Sequence, residues 1–138
     1  MPLALVVGQN KRVSDWVSSK IGTAEWSGNY SAIGAEMDGK LVGGMVVDGW
    51  VQGVRCTLHM AGEGPVWITR SILREVFTYV FYQLDCKVAI GWVSSGNAKS
   101  MRLTQHLGFK EVGRIADGCS DGDLVYFAMR KTECRWIR

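Results

Sequence analysis

A short stretch in the C-terminal half, residues 87–109, contains the residue best suited to contact a ligand. Asn97 follows directly after a turn of small residues, Ser94 to Gly96, at the point where a helix is predicted to begin. Its amide can cap unpaired backbone N–H groups of that helix, or it can be aimed at a ligand. A helix N-terminus favours an anion, because its first N–H groups are unpaired and the helix dipole is positive there. Asn97 is therefore a candidate for contact with a ligand; a helix cap alone is the alternative, and the two roles are compatible.

The residues around Asn97 predict the two elements that position it. An apolar run rich in β-formers at 87–93 indicates a buried strand, and it includes Trp92. The helix after the turn has an apolar side formed by Met101, Leu103 and Leu107. Gly108 stands at its predicted end, where glycine tolerates a left-handed conformation. A strand, a turn and a short helix are thus expected in that order.

The N-terminal half predicts a strand, a helix and a three-stranded meander. The opening strand is expected at 3–7, and Ser14 is the predicted cap of a helix that ends at Gly22. Strands are then expected at 31–37, 40–47 and 51–60. The connections contain Asp38-Gly39 and Asp48-Gly49, dipeptides that favour hairpin turns because both residues tolerate positive φ.

The C-terminal half adds one long helix and two closing strands. The longest helical pattern covers 67–84, with Thr69 as its cap, and strands are expected at 110–115 and 124–130. At 138 residues and 47% hydrophobic content, residues 1–138 are predicted to form a single domain with its own core. The order of elements predicts an α+β fold with a mixed sheet of about seven strands and about three helices. The residues expected to be buried in its helices are Leu73, Val76, Phe77, Val80, Leu103 and Leu107.

Composition excludes several classes of function. The net charge of +3 is too small to indicate a nucleic-acid partner. The four cysteines, Cys56, Cys86, Cys119 and Cys134, are scattered, so neither a metal site nor a disulfide framework is predicted, and reduced thiols in a cytoplasm are expected. The apolar run at 3–7 is too short to span a bilayer, so no membrane partner is predicted.

The stretch around Asn97 resembles the C-terminal half of the GNAT superfamily, the acetyl-CoA-dependent N-acetyltransferases. The resemblance depends on Asn97, then on Leu107-Gly108-Phe109, Glu111 and Gly113 at the family's spacing. The run DLVYFAMRKTECRW near the C-terminus is similar to the closing strand of GNAT-like proteins carried by bacteriophages. In the family, this order of elements is the GNAT fold, here shortened near the N-terminus.

The resemblance implies an enzyme that transfers an acetyl group to an amine of a small molecule or protein, in the host cytoplasm if the protein is phage-encoded. A GNAT-fold protein that has lost catalysis and serves in binding or virion assembly is the alternative. A regulatory acyl-CoA sensor is a third class. A homodimer is left open as the oligomeric state.

The resemblance also implies where acetyl-CoA, the acyl donor, would bind. In the family the cofactor enters where the fourth and fifth strands part, and Asn97 and Trp92 lie beside that opening. The pantetheine arm would pair with the end of the fourth strand, at Leu58, His59 and Met60. The pyrophosphate would lie at the N-terminus of the next helix, near Trp67, Ile68, Thr69 and Arg70.

The sequence departs from the family at that helix. Gly64 stands where the family has an arginine, and Trp67 and Thr69 replace its spaced glycines. Backbone N–H groups could still bind phosphate, and Arg70 could add charge. An ordinary capped helix without a ligand is the alternative.

Catalysis in this family is a direct attack of the amine on the thioester, which requires a base and a proton donor. His59 is the candidate base, since imidazole titrates near neutral pH, unless it is merely bonded to a neighbour. Glu63 is a second candidate, unless it is simply solvated. Thr104 occupies the position of the family's proton-donating tyrosine, seven residues after Asn97. Its hydroxyl is a weaker acid, so water or Ser100 is the alternative donor.

Overall fold

The computed structural model describes residues 3–22, 26–64 and 67–138. Across these residues the chain forms one seven-stranded mixed sheet with strand order β1-β2-β3-β4-β5-β7-β6, together with three α-helices. The strands are β1 (Ala4–Val6), β2 (Ser31–Met37), β3 (Lys40–Val51), β4 (Arg55–Gly62), β5 (Val88–Ser94), β6 (Lys110–Cys119) and β7 (Gly122–Arg130). The helices are α1 (Asn10–Ile21), α2 (Arg70–Thr78) and α3 (Ala98–Leu107). The predicted α+β architecture is confirmed.

One of the two predicted hairpin turns is confirmed and the other is wrong. Asp38 and Gly39 both have positive φ, 53° and 77°, and they join the antiparallel strands β2 and β3. At Asp48-Gly49 the strand continues instead, with a shift in register, and the chain turns at 52–54, where Gly53 has φ of 74°. A β-bulge uses the same positive φ as a turn, so the dipeptide alone does not distinguish the two.

Ser14 is not the cap of α1, contrary to the prediction. The helix begins at Asn10, and Ser14 is buried inside it. The Ser14 hydroxyl lies 3.1 Å from the Tyr30 hydroxyl and 3.2 Å from the Lys11 carbonyl oxygen, to which it donates. A serine inside a helix can satisfy its hydroxyl in this way, so its position in sequence did not fix the boundary. The predicted end is confirmed, since Gly22 is left-handed with φ of 77°.

The caps predicted for the other two helices are confirmed. The Thr69 hydroxyl accepts a hydrogen bond from the Ile72 N–H at 3.1 Å, and α2 begins at the next residue. A π-helical turn, Tyr79–Gln83, continues α2 almost to the predicted end. Gly108 closes α3 with φ of 107°. The pattern at 67–84 thus gives one helical element, although its first three residues lie before the helix.

The larger core lies between α2, α3 and one face of the sheet. Of the predicted core residues, all but one are buried: Leu73, Val76, Phe77, Val80 and Leu107. Leu103 is only half-buried, because this side of α3 faces the opening between β4 and β5 and not the core. A smaller core packs α1 against the opposite face of the first four strands through Val13, Val17 and Val46.

The last two strands are longer than predicted. β6 extends to Cys119 and β7 begins at Gly122, so the expected loop at 117–123 is mostly strand with a tight turn. All four cysteines are free. Within the described ranges, no group of His, Cys, Asp or Glu could hold a metal ion. No helix among these residues is long and apolar enough to cross a membrane.

Candidate active site

The fourth and fifth strands part halfway along their length. β4 and β5 are parallel neighbours, as predicted, but they pair only through Arg55–Val88, Cys56–Ala89 and Thr57–Ile90 in the described part of the chain. Beyond these pairs β4 stays with β3 as far as Gly62, whereas β5 stays with β7 as far as Ser94. A gap therefore opens between the C-terminal halves of the two strands.

One edge of β4 directs its backbone into this gap. Just past the strand, the Glu63 N–H donates to the Val42 carbonyl oxygen at 2.8 Å. In an antiparallel pair, alternate residues direct both N–H and C=O to the same neighbour, so Leu58, Met60 and Gly62 direct theirs away from β3. The parallel Thr57–Ile90 pair already uses the Leu58 N–H, which donates to β5. The Leu58 C=O and the backbone groups of Met60 and Gly62 are free to pair with an extended ligand, as the resemblance implies for Leu58 and Met60.

The backbone of His59 does not share this role. His59 lies opposite Val46 in the β3–β4 register, and the same alternation turns its N–H and C=O toward β3. The prediction that its backbone pairs with a cofactor is therefore wrong. Its side chain lies on the face of the sheet that α1 covers, because side chains alternate between the faces.

Two adjoining cavities fill the gap and form one cleft. The first, here called the inner cavity, has a volume of about 350 Å³ and is lined by Leu58, His59, Trp92, Thr104 and Asp121, among others. The second, the outer cavity, has about 650 Å³ and extends along α3 toward Trp67 and Ile68. The residues common to both linings are Ile21, Met60, Asn97, Ser100 and Leu103. Together they are large enough for an extended cofactor.

Charge is segregated along the cleft. Lys20, Lys99 and Arg102 line the outer cavity, and the described residues add no carboxylate to that lining. In the inner cavity Asp121 is the one ionised side chain among the described lining residues. A polyanion is therefore favoured in the outer cavity and a cation in the inner one.

The sequence did not indicate that Lys99 and Arg102 line a cavity. Lys99 and Arg102 are three residues apart on α3, a spacing that looks like an ordinary solvated helix face. Of the four residues predicted to bind pyrophosphate, Trp67 and Ile68 line the outer cavity, whereas Thr69 and Arg70 are not among its described lining residues.

Asn97 caps α3, as predicted, and its side of the helix N-terminus faces the cleft. Its side-chain oxygen accepts a hydrogen bond from the Ser100 N–H at 3.1 Å, which caps α3. It also belongs to the lining of both cavities. Its loop is held in place by the β6–β7 turn, since the Asp123 N–H donates to the Ser95 hydroxyl at 2.7 Å. The start of α3 is therefore fixed beside the gap.

Trp67, which stands where the family has a glycine, packs its indole ring against two glycines of the sheet. Its ring is almost fully buried, with 2% of the residue exposed. It packs against Gly43 and Gly62, where a Cβ on Gly62 would lie 1.7 Å from the indole nitrogen. Glycines in two paired strands thus make room for the indole at the end of the cleft.

This packing predicts that Gly62→Ala destabilises the protein. The added methyl group overlaps the indole, and the buried ring has to move, which is expected to cost about 1–3 kcal/mol of unfolding free energy. Gly113→Ala is the control, because a Cβ there meets nothing within 4 Å. Thermal or urea unfolding of both variants checks the prediction, and equal stability of the two would contradict the packing described.

His59 lies between two tryptophans. Its ring centroid is 5.0 Å from that of Trp26 and 5.1 Å from that of Trp92, both in edge-on geometry. Its ring nitrogens have no hydrogen-bond partner among the described residues. His59 is therefore not bonded to a neighbour there, which was the alternative to its role as a base. Burial lowers the pKa of His59 below its ordinary value, and the nearby charge of Asp48 opposes this shift without cancelling it. The imidazole is therefore neutral at pH 7 and able to accept a proton.

Asp48 is itself held in the ionised form. Partial burial by itself would raise the pKa of this carboxyl group, but hydrogen bonds from Ser27 and from the Gly49 N–H outweigh it and keep the pKa below its usual value. The carboxylate therefore stabilises positive charge near His59. Glu63, the second candidate base, forms an ion pair with Lys20 at 2.7 Å and does not line the inner cavity.

Thr104 lines the inner cavity, but its hydroxyl is already engaged. It donates to the Ser100 carbonyl oxygen at 2.8 Å, one turn back along α3. Ser100 lines both cavities. Two hydroxyl groups, neither of them strongly acidic, therefore stand where the family has a tyrosine.

Comparison with known proteins identifies the fold. No protein-family model matches the chain. Over 75 residues, 51% of the chain, it is 33% identical to the putative ribosomal N-acetyltransferase YdaF of Bacillus subtilis, and it covers 40% of that protein. A probable acetyltransferase of known structure is 26% identical, with a TM-score of 0.64 over 76% of this chain and 64% of that one. The chain thus spans less than two thirds of either protein.

A second set of solved structures matches nearly the whole chain. A mutant form of the spermidine/spermine N-acetyltransferase SpeG from Vibrio cholerae superposes with a TM-score of 0.75 at 12% identity, covering 95% of this chain and 96% of that one. At that identity the likeness concerns the fold alone. With its seven-stranded mixed sheet, parted fourth and fifth strands and capped α3, the chain has the fold of the GNAT acetyltransferases.

Proposed function

We propose that this protein is an acetyl-CoA-dependent N-acetyltransferase that acts on an amine. The observation that carries the proposal is the free edge of β4, where Leu58, Met60 and Gly62 direct backbone groups into a gap beside the N-terminus of α3. A fold that parts two parallel strands loses hydrogen bonds there, and an extended ligand that pairs with the edge replaces them. The names of the similar proteins support the same class of reaction.

The residues of the cleft fit the chemistry of acetyl-CoA along its length. Its phosphates carry several negative charges and match the outer cavity, with Lys20, Lys99 and Arg102. Its pantetheine arm contains amide groups that can pair with β4. Its acetyl thioester, the activated group that it supplies when bound, would then belong in the inner cavity.

The chain's own residues account for the proton movements. In the overall reaction a bond forms between the amine nitrogen and the acetyl carbon, the carbon–sulfur bond breaks, the nitrogen loses a proton and the sulfur gains one. The neutral imidazole of His59, which lines the inner cavity, would take the proton from nitrogen. Ser100, or water held by Ser100 and Thr104, would supply the proton to sulfur.

A titration with acetyl-CoA tests the proposed binding mode. Lys99→Ala and Arg102→Ala are each expected to weaken binding by about 1–3 kcal/mol, since each removes a charged partner of phosphate. Arg70→Ala is expected to weaken binding less, because Arg70 lies outside the described lining. Arg74→Ala is the control, as an exposed arginine of α2 away from the cleft. Calorimetry or tryptophan quenching gives the four affinities.

The outcomes separate the alternatives. Loss of affinity at Lys99 and Arg102 with an unchanged Arg74→Ala supports the proposed site. Equal effects at all four positions would show a non-specific charge effect and would contradict it. No binding of acetyl-CoA by the wild-type protein at millimolar concentration would overturn the enzymatic proposal.

A GNAT-fold binding protein without catalysis is the second candidate, favoured by the engagement of the Thr104 hydroxyl with the Ser100 carbonyl oxygen. It predicts acetyl-CoA binding, or none, without transfer to any amine. YdaF and SpeG come from bacteria, and the resemblance to bacteriophage proteins, with its virion-assembly role, stays a prediction.

Thr104→Tyr distinguishes a slow enzyme from a non-catalytic protein. A phenol is a far stronger acid than an aliphatic hydroxyl, so the variant is expected to raise the rate of acetyl transfer by about tenfold or more. Thr104→Phe is the control, because it adds the ring without the acid. If Tyr and Phe change the rate equally, proton donation at this position does not limit the reaction.

A further inference from the structure

We propose that the acceptor is a small primary amine with an aromatic or apolar body and no carboxylate, an arylalkylamine in chemical class. The inference depends on the proposed function, because it names the second substrate of the same cleft. It follows from the aromatic side chains that surround His59 and from the charges of the inner cavity.

An aromatic row crosses the sheet at the gap. Trp26 contacts His59, His59 contacts Trp92 across the parted strands, and the Trp92 centroid lies 6.2 Å from that of Tyr126 on the neighbouring strand β7. Trp26 is fixed by its indole N–H, which donates to the Ser18 hydroxyl at 3.1 Å. Trp92 is 47% exposed, a large value for such a ring. The row therefore offers an accessible apolar and π-rich surface that includes the candidate base.

The charges beside this row select a cation. Asp121 lines the inner cavity, and its carboxylate accepts a hydrogen bond from the Ser94 hydroxyl, two residues after Trp92. Asp48 adds negative potential at His59. Aromatic faces attract ammonium groups, and a carboxylate beside them strengthens the attraction. An amine that arrives protonated is thus stabilised at the point where His59 can remove its proton.

The same charges reject a carboxylated acceptor. Among the described residues no lysine or arginine lines the inner cavity, so the carboxylate of a free amino acid would have no cationic partner there and would be repelled by Asp121. A polyamine is also a poor match. Its several ammonium groups would need carboxylates spaced along the cleft, whereas the next charged side chains of the cleft are the cations of the outer cavity. One ammonium group attached to an apolar body fits best.

Equilibrium binding of matched ligands tests the inference without acetyl transfer. Tryptophan fluorescence is titrated with 2-phenylethylamine, with phenylalanine, which differs by one carboxylate, and with spermidine. We expect 2-phenylethylamine to bind at least about tenfold more tightly than phenylalanine, because the carboxylate of phenylalanine would have no cationic partner and would be repelled by Asp121. It should also bind more tightly than spermidine. Preference for phenylalanine or spermidine would overturn the inference.

Two variants locate the site. Asp121→Asn is expected to weaken 2-phenylethylamine binding about 5- to 30-fold, in line with the loss of an ammonium partner, and Trp92→Leu by about 3- to 30-fold. Asp117→Asn is the matched control, because it removes the same charge from the exposed strand β6, and its affinity should not change. Equal affinities of Asp121→Asn and the wild type would overturn the assigned site.

A parallel titration with acetyl-CoA keeps the two proposals apart. If acetyl-CoA binds and 2-phenylethylamine does not, the acceptor class is wrong and the proposed function stands. If 2-phenylethylamine binds and acetyl-CoA does not, the proposed function fails, and with it the role of this amine as an acetyl acceptor.

Discussion

Replacing Phe77 with alanine is expected to lower the free energy of unfolding by about 3–5 kcal/mol. Phe77 is fully buried on α2, with its ring centroid 6.1 Å from that of Phe81 in stacked geometry and 6.3 Å from that of Phe109. Phe109 follows directly after α3, so the cluster ties both helices to the same face of the sheet. Truncation removes a large apolar ring and leaves a cavity that rigid neighbours on three sides cannot fill.

Urea unfolding measures this loss directly, and Tyr82→Ala is the matched control. Tyr82 lies one turn further along the same helical element with 56% exposure, so its truncation is expected to cost less than about 1 kcal/mol. A loss below about 0.5 kcal/mol for Phe77→Ala would show that the packing face of α2 is wrong.

Replacing His59 with glutamine is expected to lower kcat/KM for acetyl transfer by about 10²- to 10⁴-fold, the range typical of a general base. In the wild type, kcat/KM should fall as the pH decreases through the pKa of His59, because the protonated imidazole can no longer accept a proton. Burial keeps that pKa below its ordinary value of 6.5, so the midpoint of the fall should lie below pH 6.5. Glutamine cannot titrate, and the variant should lose this acidic limb.

The other histidine of the chain provides the control. His106 lies near the end of α3 beside Trp136, on the outer cavity and away from the inner one. His106→Gln should keep the acidic limb. A His59→Gln enzyme with the wild-type pH profile would exclude His59 as the base and leave water in that role.

Local signals in the sequence predicted much of the fold. Thr69, Asn97 and Gly108 lie at helix boundaries as expected, because a cap or a left-handed residue acts on its own neighbours. The predictions at Ser14 and Asp48-Gly49 were wrong because they also relied on local signals. Each fits two local structures, and the choice between them is made by partners distant in sequence, Tyr30 for Ser14 and β4 for Asp48.

The site was predictable only in part. The parting of β4 and β5 was expected from the resemblance, and the Leu58 C=O and the backbone groups of Met60 face the resulting gap. Which backbone groups face the gap depends on the register of β3 and β4, and this is why His59 was misassigned as a backbone contact. The meeting of Trp26, His59 and Trp92 joins a loop to two separate strands, and no spacing in the sequence encodes it.

Hydrogen exchange of the β4 amides tests the central claim most directly. The claim is that acetyl-CoA pairs with the edge of β4 that faces the gap, so saturating acetyl-CoA should slow exchange at Met60 and Gly62, whose N–H groups lie beyond the last pair with β5. The amides of His59 and Ala61, which face β3 in both states, should change much less. Acetyl-CoA that binds while Met60 and Gly62 exchange as in the free protein would contradict the claim.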